Sequence, residues 1–72
     1  MTLQQWCRYL GWNQAELARQ ARIDEKRTAR KALEGEPISP GVARAIAQAI
    51  TEALHNGTVV HPGDIEGLNI KD

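Results

Sequence analysis

Between Gly11 and Gly35 the chain reads GWNQAELARQARIDEKRTARKALEG, and this stretch restricts the possible folds more than any other. It predicts two short amphipathic helices joined by a tight turn. In the first, Asn13 supplies an N-cap oxygen and Glu16, three residues on, completes a capping-box pattern. Leu17, Ala18 and Ala21 then make one narrow apolar face. In the second, Asp24 is the expected N-cap and Ala29, Ala32 and Leu33 form the buried stripe. That stripe turns Arg27, Arg30 and Lys31 towards solvent. Alanines on both stripes let the two helices cross closely.

A chain of 72 residues has room for one domain. Folding at this size buries only roughly 60% of the surface that the unfolded chain exposes, which leaves no space for a large active-site cleft. The single Cys7 cannot form an internal disulfide. No apolar run of membrane-spanning length and no signal-peptide pattern occurs, so a cytoplasmic setting without membrane contact is expected. The formal net charge is zero, but the charges are segregated. Residues 1–31 hold seven Lys or Arg against three acids, leaving +4, and residues 32–72 hold two against six, leaving −4. A polyanion responds to local potential, because screening at physiological salt acts over about 8 Å. The basic part of the chain is therefore the candidate contact surface.

Ahead of the central pair, Thr2 and Gln5 form a second capping-box pattern. Leu3, Trp6, Cys7 and Leu10 follow at helical spacing, with Trp6 read as core and Gly11 as the residue that stops the helix. After the loop Glu36–Ser39, Ser39 followed by Pro40 marks a strong helix start. Val42, Ala45, Ile46, Ala49, Ile50, Ala53 and Leu54 keep a 3.6-residue period up to the Asn56-Gly57 stop. From Thr58 the periodicity changes. Thr58–Val60 is expected to be extended and Pro62–Glu66 to form one helical turn stopped by Gly67. Val59, Val60, Ile65, Leu68 and Ile70 need cover, so this tail either folds back over the long helix or covers a partner. The domain reading is residues 1–57, with residues 58–72 as the tail.

Asn13–Leu17, NQAEL, followed by Ala18 and Ala21, resembles the lambda-repressor-like (Cro/CI-type, or XRE) helix-turn-helix family of phage and bacterial repressors. The resemblance covers about residues 2–57. It implies a compact all-α fold of four to five helices whose third helix enters the major groove of double-stranded DNA, and so a small transcriptional regulator. By position, Gln14 matches a glutamine that packs between a phosphate and the recognition helix, and Asn13 a cap that contacts the backbone. Lys26 and Arg27 match the first positions that reach base edges and Lys31 a later one, with Thr28 and Arg30 beside them. Arg19 and Arg22 are placed on the DNA backbone. Cro-like domains bind as symmetric pairs, so a weak homodimer is a further expectation.

The chain departs from the family pattern at three places. Arg22 stands where glycine is usual, the span from Ile23 to Gly35 is one residue longer, and Glu34 and Glu36 flank a loop that often meets phosphate. The longer span implies either a wider turn or an earlier helix start. The acids favour the alternative reading, a helical protein-interaction module that keeps the shape without binding DNA. A cluster of Arg and Lys can also be only a solvated helix face. His55, His61 and Cys7 match no zinc spacing, and Cys7 lies on an apolar face, where a free cysteine is usually inert core. Neither an enzyme, a cofactor, a metal nor a small-molecule substrate is expected.

Overall fold

The computed structural model describes residues 1–71. They form a mostly helical fold: α1 (Leu3–Leu10), α2 (Gln14–Ala21), a π-helical turn (Glu25–Ala29) continuing into α3 (Arg30–Glu34), and α4 (Pro40–Leu54), followed by a 3₁₀ turn (Pro62–Asp64). Among the described residues there are no strands, only two isolated parallel bridges, and no helix is long and apolar enough to cross a membrane.

Local signals start each helix. The Thr2 hydroxyl accepts the Gln5 N–H at 3.2 Å while the Gln5 side chain accepts the Thr2 N–H at 2.8 Å, a closed capping box. Asn13 accepts from Glu16 at 2.8 Å, Asp24 from Arg27 at 2.7 Å and Ser39 from Val42 at 3.3 Å. The capping box expected at Asn13 does not close. Glu16 instead accepts from Gln20 at 3.0 Å and pairs with Arg19 at 3.2 Å, because cationic and amide partners lie one turn ahead of it.

Three of the helix ends repeat one hydrogen-bond pattern. Trp12 N–H donates to Cys7 O at 2.8 Å, Ile23 N–H to Ala18 O at 2.9 Å and Glu36 N–H to Lys31 O at 2.9 Å. In each case the residue before makes the companion bond at 3.3 Å. This is the Schellman motif, whose C′ residue is left-handed. Gly11 and Gly35 fill that position twice, at φ 75° and 78°, but the third holder is Arg22 at φ 57°. A side chain in that conformation costs about 1–2 kcal/mol, partly offset by the entropy that glycine loses on folding. Arg22→Gly is accordingly expected to stabilise the domain by about 0.5–1 kcal/mol, read as a rise in thermal midpoint of a few degrees. α4 ends earlier than expected, with His55 at φ 52° as its left-handed residue in place of the Asn56-Gly57 stop.

Leu17, Ile46 and Ile50 form the centre of the core, all fully buried. Around them Leu3, Cys7, Ala18, Ala21, Ala29 and Ala32 close the contacts between helices. Trp6, expected in the core, is only half-buried and meets exposed Tyr9 edge-on at a centroid distance of 6.2 Å; its Nε1 is buried without a partner among the described residues. Ala18 is 5% exposed between closely crossing helices. Ala18→Leu should therefore lower stability by about 1–3 kcal/mol, whereas Arg30→Ala on the surface should stay within about 0.5 kcal/mol. Chemical denaturation of both variants checks this, and equal small effects would contradict the packing described.

The tail folds back on the helices. Val60 and Ile65 are buried, and Leu68 and Ile70 pack against the core. The Thr51 hydroxyl accepts the Val60 N–H at 2.8 Å and donates to Ala47 O at 2.9 Å, which fixes the extended segment to α4. Two further ties follow. Glu66 N–H donates to Met1 O at 3.0 Å, and Ile38 exchanges bonds with the other end of the tail, donating to Asn69 O at 2.8 Å and accepting from Lys71 at 2.7 Å. Ala43 and Ala47 are buried beyond the expected stripe of α4, Ala47 beside Val60 and Pro62 of the tail, while Val42, Ala45, Ala53 and Leu54 are only half-buried.

Candidate nucleic-acid interface

α2 and the helix that follows pack against each other across the turn Arg22–Asp24. The first five residues of that second helix are π-wound. Ala29 N–H donates to Asp24 O at 2.8 Å and Arg30 N–H reaches Glu25 O, both five residues back. A π turn holds one residue more than an α turn over the same start and end. The span from Ile23 to Gly35 is thus taken up by a wider turn within the helix, and Asp24 keeps its place as the cap.

The side chains sort cleanly. Ala29 and Ala32 are buried, and Thr28 and Leu33 are half-buried on the flanks. Thr28 is thus partly turned inward and is the least available of the expected base-reading residues. From Lys26 to Lys31 every exposed position is cationic: Lys26, Arg27, Arg30 and Lys31. Arg30 pairs with Glu34 at 3.4 Å, both ends in solvent. Such a pair contributes about 0.3–0.5 kcal/mol and yields readily to a stronger anion. Lys26, Arg27 and Lys31 make no salt bridge among the described residues.

Gln14 sits at the first position of α2, half-buried, and donates its amide to Glu25 O at 3.0 Å. It ties the start of one helix to the start of the next, while its Oε1 makes no bond among the described residues. Asn13 is exposed, with its side-chain oxygen engaged in the cap. Arg19 and Arg22 stand apart from this group. They border a polar groove between α2 and α4, walled by Gln48 and Glu52 and floored by Ala45 and Ala49. Arg19 is also bound to Glu16. Sequence spacing could not reveal that separation, because it arises from how α2 crosses α4.

Cys7 and the two histidines lie outside this group. Burial pushes the Cys7 thiol up to about 11, so it stays protonated near neutral pH. Among the described residues no three His, Cys, Asp or Glu side chains are placed to hold a metal ion. Comparison with protein-family models, curated proteins and solved structures finds no match for this chain.

Proposed function

We propose that this chain is a sequence-specific double-stranded DNA-binding domain of the lambda-repressor-like type, acting as a small transcriptional regulator in the cytoplasm. The observation that carries the reading is the run of exposed cations Lys26, Arg27, Arg30 and Lys31 on a helix whose start is anchored to α2 by Gln14. A helix with such a face suits the major groove, where Arg or Lys recognises guanine O6 and N7. Asn13 and Gln14 would meet phosphate at the start of α2, and Arg19 and Arg22 would extend backbone contact past the turn. The domain performs no chemistry in this reading. Pairing of two copies would rest on the tail, where Val59 is 60% exposed. Sedimentation of Val59→Asp beside the unmodified chain tests that pairing.

A protein-interaction module is the second reading, favoured by the Arg30–Glu34 pair and by Glu36 near the end of the basic face. Amide shifts during titration with random duplex DNA at low salt separate the two. A DNA binder shows them concentrated at residues 13–31, and their absence leaves the interaction module.

A further inference from the structure

The π-wound turn has consequences for recognition, and the inference drawn here rests on the DNA-binding reading above. An α-helix advances each residue by about 100°, a π turn by roughly 80°. Four residues along an α-helix, a side chain therefore lies about 40° past its starting direction. The π segment ends at Ala29, so the step from Lys26 to Arg30 combines three π advances with one α advance, about 340°, and that from Arg27 to Lys31 two of each, about 360°; each pair returns to within roughly 20° of its starting direction. Lys26 thus stands in line with Arg30, and Arg27 in line with Lys31, making two columns parallel to the helix axis where regular winding would give a slanted fan.

We infer that this π turn is a specificity device: it sets which bases the four cations address, and the fold does not need it. The hydrogen bonds show how it is held. Glu25 O accepts the Arg30 N–H across the turn and also the Gln14 amide at 3.0 Å, and Asp24 caps the start at 2.7 Å. Both anchors lie outside the cationic face. Removing one residue inside the turn would restore α winding while leaving the Asp24 cap and the buried Ala29 and Ala32 in place. It would rotate Lys26 and Arg27 relative to Arg30 and Lys31. π turns are rare and concentrate at functional sites, because they survive only where their winding serves something.

Deleting Glu25 keeps all four cations, and Glu25→Gln removes the same negative charge while keeping the turn. Sites selected from randomised duplex would be compared for both variants and the unmodified chain, with thermal midpoints and affinity for random duplex measured alongside. Glu25→Gln is expected to select the original site. The deletion variant is expected to fold with an unchanged or higher midpoint and to match Glu25→Gln on random duplex. It should select a different site and bind the original about tenfold or more weakly than Glu25→Gln does. If the two variants select one site with one affinity, or if the deletion variant does not fold, the turn is not a specificity device. Absence of duplex binding by the unmodified chain would instead overturn the DNA-binding reading itself, an outcome distinct from either.

Discussion

Truncating Ile65 to alanine is expected to destabilise the domain by about 2–5 kcal/mol, as much as the same truncation of Leu17 in the heart of the helices. Ile65 is 3% exposed and Leu17 is fully buried, so both truncations leave an unfilled space among packed neighbours. Domains of this length have about 4–11 kcal/mol in all, which makes the loss a large fraction of the total. The thermal midpoint should fall by at least roughly 10 °C. Val59 provides the internal control. At 60% exposure it lies one residue from buried Val60, yet Val59→Ala should change stability by no more than about 0.5 kcal/mol. If Ile65→Ala and Val59→Ala behaved alike, the tail would not be part of the core.

What could be read in the sequence divides by range. The caps at Thr2, Asn13, Asp24 and Ser39 were legible because an N-cap is a contact over three residues. The burial of Ala47 was not legible, since its neighbours Val60 and Pro62 lie in the tail, beyond the end of α4. The π turn lies between these cases. Five side chains are too few for a hydrophobic period to separate α from π winding. The hydrogen bonds from Ala29 to Asp24 and from Arg30 to Glu25 decide it. At the candidate interface, the basic residues of the second helix could be assigned to one face from spacing alone. The placement of Arg19 and Arg22 beside α4 depends on a helix crossing that spacing does not encode.

That placement makes the second large effect a contrast between two arginines. Arg27→Ala is expected to cost about 1–3 kcal/mol on a preferred site and far less on random duplex, because a bidentate arginine discriminates one base pair from the others. Its guanidinium is exposed on the cationic face and unpaired among the described residues, so no internal ion pair has to break before it reaches a base. Arg22→Ala should act differently, weakening all sequences alike and flattening the salt dependence by about one unit, as loss of a phosphate contact does. With about four phosphates neutralised per domain, the unmodified log–log slope should lie near −3 to −4. Titrations of both variants against a selected site and a scrambled duplex at several salt concentrations read the two effects separately. Equal loss from Arg27→Ala on both duplexes would make it a backbone contact. An unchanged slope for Arg22→Ala would place Arg22 outside the interface, in the groove with Gln48 and Glu52 where it already lies. Contact with DNA would then be confined to the start of α2 and the basic helix, and the slope would have to come from Lys26, Arg27, Arg30 and Lys31 alone. Arg30 can contribute to it only by leaving Glu34, 3.4 Å away. Glu34→Gln should then tighten binding to every sequence.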